Sequence, residues 1–282
     1  MPRDLLPLVR DALAEDYSVE REIGRGGAAR VFLAHAPDGT PVALKVLHPE
    51  LQVSTTADRF LREIRLVSQL QHRLIAPVLD SGHRGYFVYY VMPMIQGPTL
   101  RECLTRSRRL SLDDSLRVAH DLLDALAHAH ERHIVHRDVK PENIIISSEG
   151  AVLLDFGVAR GLEAAANDRV TATGMSVGSA GYMSPEQATA AQDLDYRTDI
   201  YAVGCVLFEC LAGRPPFAHR NMNVVLQMQM AGEPPDVRTF RGDVPPEVAD
   251  AITRALQRDR NLRWKTAGEM GEALDIQVRT EH

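Results

Sequence analysis

The apolar pattern of this sequence changes period once, near Pro93, and that change limits what the chain can fold into. Before it, residues 19–24, 29–35 and 42–47 are short runs of β-favouring side chains. Pro37-Asp38-Gly39-Thr40 between the last two reads as a turn. Phe60, Leu61, Ile64, Val67 and Leu70 recur at helical spacing, which predicts one helix over residues 57–70. Two more strands are expected at 76–79 and 86–92, separated by a turn at Asp80-Ser81-Gly82. After Pro93 helices dominate: 111–132 with Ser111 as its N-cap, then 197–211, 222–230, 246–257 and 266–277. Short strands at 144–146 and 152–154 flank a turn at Ser148-Glu149-Gly150. A strand-rich front and a helix-rich back predict an α+β chain of two lobes, hinged over residues 93–97. Leu5, Leu8, Val9, Ala12 and Leu13 share one face of a short helix leading in. The expected divisions are a helical extension at 1–16, a small β-rich N-lobe with one main helix at 17–94, and a larger, mostly helical C-lobe at 95–282.

Composition narrows the partners. A chain of 282 residues that is 45% hydrophobic is long enough for two cores. A formal net charge of −6 gives no basic field that would favour nucleic acid or an anionic membrane as the main partner. Cys103, Cys205 and Cys210 fit neither a disulfide framework nor a metal-finger spacing, so reduced thiols in a cytoplasmic protein are expected. No run of 18 apolar residues occurs; the best candidate, 200–213, is short and carries Glu209, which fits a core helix better than a membrane span. The first 20 residues lack the apolar stretch of a secretory leader. His128, His130, His133 and His136 are two or three residues apart and scatter around a helix, which argues against zinc. Met222, Met228 and Met230 form an apolar stripe expected to pack in the core. Residues 161–177 are small, polar and aperiodic, and are expected to form a mobile loop.

The chemistry is concentrated in His136-Arg137-Asp138-Val139-Lys140-Pro141-Glu142-Asn143 and in Asp155-Phe156-Gly157, whose aspartates are 17 residues apart. Asp138 is a candidate base for a hydroxyl proton, and Asn143 and Asp155 offer hard oxygen ligands to Mg²⁺. Upstream, Ile23-Gly24-Arg25-Gly26-Gly27-Ala28-Ala29-Arg30-Val31 lies between two predicted strands, where glycines let a backbone approach phosphate oxygens. A strand rather than a helix follows that turn, which excludes a Rossmann reading. Val42-Ala43-Leu44-Lys45 comes next.

These motifs, in this order, resemble the eukaryotic-type serine/threonine protein kinases, and bacterial members most of all, over residues 17–278. The resemblance implies a bilobal fold that closes around ATP with Mg²⁺, Mn²⁺ being a substitute, and transfers the γ-phosphate to serine or threonine hydroxyls of proteins, its own activation loop included. Asp138, Lys140 and Asn143 would then be catalytic, and Asn143 and Asp155 would hold the metal. Lys45 would pair with the α- and β-phosphates, with Glu63 as its counter-ion. Ile23, Val31, Ala43, Met92 and Ile145 would wall the adenine, while Pro93 and Ile95 offer a carbonyl and an N–H to its edge. Ala29 stands where the family's third glycine would be, a departure that bears on the loop's flexibility more than on binding. Arg137 implies an activation loop ordered by phosphorylation, with Thr171 and Thr173 as the expected sites and a homodimer as the means of trans-phosphorylation. Ser179 replaces a usual threonine and Ser184-Pro185-Glu186 replaces Ala-Pro-Glu. Glu186 would pair with Arg263, and Asp199 would hold the catalytic loop. A nucleotide-binding pseudokinase scaffold is the alternative, and phosphorylation of a small molecule a third reading.

Overall fold

The structure, a computed structural model, describes residues 5–26, 29–47, 54–156, 180–191 and 193–275. Among these, two compact units are distinguished: residues 5–71 with 76–95, and residues 72–75 with 96–156 and 180–275.

The first unit is built on a five-stranded antiparallel sheet. Its strands are β1 (Ser18–Arg25), β2 (Ala29–His35), β3 (Pro41–Leu47), β4 (Asp80–Arg84) and β5 (Phe87–Pro93), ordered β1-β2-β3-β5-β4. Alternation along the strands separates two faces. Phe32, Ala34, Val42, Leu44, Val46, Phe87, Tyr89 and Val91 form one buried cluster with Leu5, Val9 and Leu13 of the leading segment. Helix α1 (Leu6–Ala12) thus supplies part of the core, because Val9 and Leu13 have no exposed surface at all. Arg10 ties it down, donating from Nε to the Val19 carbonyl and from Nη2 to that of Glu20, both at 2.9 Å. Val31, Ala43, Lys45, Tyr90 and Met92 occupy the alternate positions and pair across strands as Val31 with Lys45, Lys45 with Tyr90 and Ala43 with Met92. Helix α2 (Ser54–Val67) buries Phe60 and Ile64, and the Phe60 ring lies 6.1 Å from that of Tyr90.

One expectation fails here. The strand predicted at 76–79 lies instead at Asp80–Arg84, so Asp80-Ser81-Gly82 is ladder rather than turn. The turn is supplied by Gly85, at φ +57°. An edge strand with polar, largely exposed side chains carries no apolar alternation, which is why its sequence reads as a loop.

In the second unit, α3 (Leu100–Ser107) begins at a reciprocal capping box, Thr99 with Glu102. Helix α4 (Leu112–His130) starts at Ser111, whose hydroxyl accepts from the Asp114 N–H. The hairpin β6 (Ile144–Ser147) and β7 (Gly150–Leu153) follows, then α5 (Pro185–Ala188), α6 (Arg197–Ala212), α7 (Met222–Ala231), α8 (Pro246–Ala255) and α9 (Ala267–Asp275). Helix α6 is buried on every side from Thr198 to Leu211, as its all-round apolar sequence requires. It lies so close to α8 that a Cβ on Gly204 would come within 2.9 Å of the Ala255 Cβ. Gly97, at φ +138°, passes so near the Ile146 carbonyl that any side chain there would collide with backbone. The methionine stripe of α7 is not core: Val225 and Gln229 are the buried positions, and Met228 is 37% exposed. Helical spacing placed a stripe correctly but could not say which stripe faces inward, and Gln229 wins because its Nε2 donates to the Ala180 carbonyl at 2.8 Å.

Candidate active site

The loop at 136–143 is held from beneath by one carboxylate. Asp199, in the first turn of α6 and wholly buried, accepts from the His136 N–H at 2.8 Å, the Arg137 N–H at 2.7 Å and His130 Nε2 at 2.8 Å. Arg137 adopts φ +69°, a left-handed conformation that costs a non-glycine residue about 1–3 kcal/mol. It is retained because both sides of the residue are fixed: the N–H by Asp199, and the carbonyl by Gln187 Nε2 at 2.8 Å. His136 bridges onward. Its Nε2 donates to the Leu154 carbonyl at 2.7 Å, while its Nδ1 accepts from the Asp138 N–H at 3.1 Å, a pairing that only the neutral Nε2–H tautomer satisfies. The Phe156 ring packs edge-on against this imidazole, centroids 4.6 Å apart, and fixes the segment bearing Asp155. Asp155 is itself left-handed, at φ +63°.

Asp138 is the centre of the arrangement. Lys140 Nζ lies 2.8 and 2.7 Å from its two oxygens, and Asn143 Nδ2 donates to Oδ2 at 2.9 Å and to the Asp138 carbonyl at 2.8 Å. The carboxylate is therefore oriented yet about one-third exposed. Because the amide nitrogen of Asn143 is committed to Asp138, its amide oxygen is the atom that could meet a hard cation.

A second pair stabilises the same region. Arg263, 1% exposed, grips Glu186 with two charge-assisted bonds of 2.6 and 2.7 Å and donates to the carbonyls of Gln257, Arg197 and Arg258. Burial alone would push the Glu186 carboxyl up; the Arg263 guanidinium and the Thr198 hydroxyl outweigh it and hold it below its usual range. Burial likewise opposes ionisation of Asp199, and the bonds from His130 and the Arg137 N–H overcome it, so this carboxyl too is depressed. Groups depressed on folding contribute stability that is complete above their unfolded pKa values, 4.5 for Glu and 3.8 for Asp, and is lost as pH falls through the lower folded values. Urea midpoints should accordingly drop steeply below about pH 4.5, and Glu186→Gln should flatten that slope. An unchanged slope in the variant would refute the assignment.

The first unit carries the other expected residues. Gly24 pairs with Val31 across β1 and β2, and the Gly26 N–H donates to the Ala29 carbonyl at 2.9 Å, closing the start of the glycine turn. Gly27 and Ala28 lie outside the described residues, as do Thr171, Thr173, Ser179 and the loop 161–177. Arg25 and Arg30 both meet Glu22, at 2.7 and 3.3 Å. Ala43 and Met92 are neighbours on the sheet face that also carries Val31 and Lys45, and Lys45 Nζ stands 5.8 Å from the Tyr90 ring centroid. Ile23 is half-buried on β1, Glu63 half-buried on α2, and Pro93 and Ile95 half-buried at the end of β5 and just beyond. In the second unit Ile145 pairs with Val152 and bridges to Thr99.

A family model described as "Protein kinase domain" matches residues 17–273. The chain belongs to the protein kinase family. Three relatives are similar over most of its length. A probable serine/threonine-protein kinase of Streptomyces coelicolor is 36% identical over 93% of this chain and 39% of its own. PrkC, a serine/threonine-protein kinase of Bacillus subtilis, is 35% identical over 93% of this chain and 40% of its own. PknB of Mycolicibacterium smegmatis is 36% identical over 92% and 42%. The chain therefore spans about two fifths of the length of these relatives. Membership in the kinase family implies ATP as a substrate together with a divalent metal. No helix among the described residues is long and apolar enough to cross a membrane.

Sequence reading missed several supports of this kinase site. Gln187 caps α5 through a Ser184-x-x-Gln187 box and secures Arg137, and that box is visible in the sequence. His130 to Asp199 is a contact over 69 residues, with no local signal. Helix α3 was also overlooked, although Thr99-x-x-Glu102 announces it.

Proposed function

We propose that this chain is an active serine/threonine protein kinase, transferring the γ-phosphoryl group of ATP to serine and threonine hydroxyls of proteins. The observation that carries this reading is the Asp138 carboxylate, oriented by Lys140 and Asn143 and left partly open to solvent. Asp138 accepts the proton of the incoming hydroxyl and aims its oxygen at the phosphorus. Lys140, already paired with Asp138, supplies positive charge to the phosphoryl oxygens as transfer proceeds. Lys45 and the glycine turn at 24–29 hold the other phosphates, Glu63 fixes the Lys45 rotamer, and Ala43, Met92, Val31 and Ile23 supply an apolar wall for the base, with Pro93 and Ile95 at its edge. Asn143 and Asp155 would hold Mg²⁺, which when bound neutralises phosphate charge.

The bacterial relatives named serine/threonine-protein kinases support a protein acceptor. A cytoplasmic reaction fits this reading, since ATP is its substrate and Cys103, Cys205 and Cys210 are free thiols. Its own Thr171 and Thr173 are the first acceptors, phosphorylated between two copies. The test is incubation of the purified chain with labelled ATP and Mg²⁺, followed by mass mapping. Phosphate at Thr171 or Thr173 and on an added Ser/Thr protein is expected. Calorimetric binding of the metal–nucleotide complex without any transfer would overturn the enzyme reading in favour of a scaffold.

A further inference from the structure

Gln187 is engaged at both ends of its amide. Its Oε1 accepts from the Ser184 N–H at 3.0 Å, completing the capping box of α5, and its Nε2 donates to the Arg137 carbonyl at 2.8 Å. The capping box needs only an acceptor from this position, so glutamate would serve it as well as glutamine. The cap therefore does not account for the donor half of the side chain. The Arg137 carbonyl does, and it lies 50 residues away in the candidate catalytic loop.

That carbonyl and the Asp138 N–H belong to one peptide plane, and the plane is held at both edges. Gln187 Nε2 bonds its oxygen, and His136 Nδ1 accepts from its N–H at 3.1 Å. Arg137 stands at φ +69°, so the plane is kept in place against backbone strain, and one hydrogen bond is of the same order as that strain. Turning the plane changes ψ of Arg137 and φ of Asp138 together. It would re-aim the carboxylate that Lys140 and Asn143 now hold. The donor is itself fixed to α6: Ser184 Oγ lies 3.1 Å from Thr198 Oγ1, which donates to Glu186 Oε1 at 2.9 Å.

We propose that Gln187 is a positioning residue for phosphoryl transfer: its Nε2 locks the Arg137–Asp138 peptide plane, so the aim of the base depends on α5 being seated. The role rests on the kinase reading for its reaction, while the lock itself is a matter of geometry. The chemistry at position 187 is then narrowly defined. It must accept from Ser184 and donate to Arg137 at the same time, and a primary amide of this length does both. A carboxylate keeps the cap but sets a second acceptor against the Arg137 carbonyl. A displacement of the base of about 1 Å is enough to slow transfer severely.

The experiment compares wild type, Gln187→Glu and Gln187→Met in phosphate transfer from MgATP to a serine peptide, from about pH 5.5 to about pH 8.5. At the alkaline end both variants should lose at least about tenfold in kcat, with KM for ATP unchanged. As pH falls, Gln187→Glu should regain activity relative to wild type, because a protonated carboxyl is again a donor, whereas the Gln187→Met deficit should stay constant. The Asp138 amide resonance of aspartate-labelled protein gives a readout independent of transfer. It should move with pH in Gln187→Glu beyond any movement in wild type or Gln187→Met. Wild-type kcat in Gln187→Glu at every pH would overturn the proposal, because the cap alone would then suffice. A Gln187→Glu deficit that ignores pH would overturn it too, since that is the mark of a merely structural residue. If Gln187→Met does not fold, Gln187→Glu, which keeps the cap, decides alone. The expected resonance pattern in a chain that transfers no phosphate would instead overturn the kinase reading and leave the lock standing.

Discussion

Asp138→Asn is expected to lower phosphate transfer by about 10²–10⁴-fold while leaving the affinity for the metal–nucleotide complex unchanged. The amide still fits between Lys140 and Asn143, so the loop keeps its shape, but it accepts no proton and leaves the Lys140 charge uncompensated. The effect should therefore appear in kcat, with KM for ATP nearly constant. Single-turnover kinetics beside calorimetry separates the two quantities. A fall of less than about tenfold would remove Asp138 from the role of base. The variant should also carry no phosphate at Thr171 or Thr173 when expressed alone, which gives a second readout on the same substitution.

Arg263→Ala carries the largest expected loss of stability, about 3–5 kcal/mol. The side chain is fully enclosed, and its removal leaves the Glu186 carboxylate buried without its cation and three backbone carbonyls without their donor. It also removes the group stacked 4.9 Å from the Tyr201 ring. Urea denaturation should show the midpoint shift with little change in slope. Combining it with Glu186→Gln should recover part of the loss, since the stranded charge then disappears. If the single and double variants were equally unstable, packing rather than charge would be the dominant contribution of Arg263.

What the sequence disclosed and what it withheld follow from the range of the interactions. The candidate catalytic loop was legible because Asp138, Lys140 and Asn143, which hydrogen bonds join in the structure, lie within eight consecutive residues. Strands β1, β2, β3 and β5 were legible from β-favouring runs close to their observed bounds. Strand β4 was not, because its side chains are polar and none of them is buried, so no apolar alternation marks it. The left-handed backbone at Arg137 had no signal in residue type, since it is held by tertiary bonds rather than chosen by glycine. Arg101 was invisible for a related reason: its partner Glu209 is 108 residues away. The methionines of α7 show the converse, a correct period with the wrong side assigned inward.

The burial of α1 has a practical bearing on how this protein is handled. The family boundary opens at residue 17, yet Leu5, Val9 and Leu13 complete the packing around Phe32, Leu44 and Val91. A recombinant fragment trimmed to that boundary would present a bare apolar sheet face to water, and self-association on purification is the expected penalty. Fragments for crystallisation or screening should begin ahead of Leu5, and any tag fused there needs a spacer long enough to leave the helix seated.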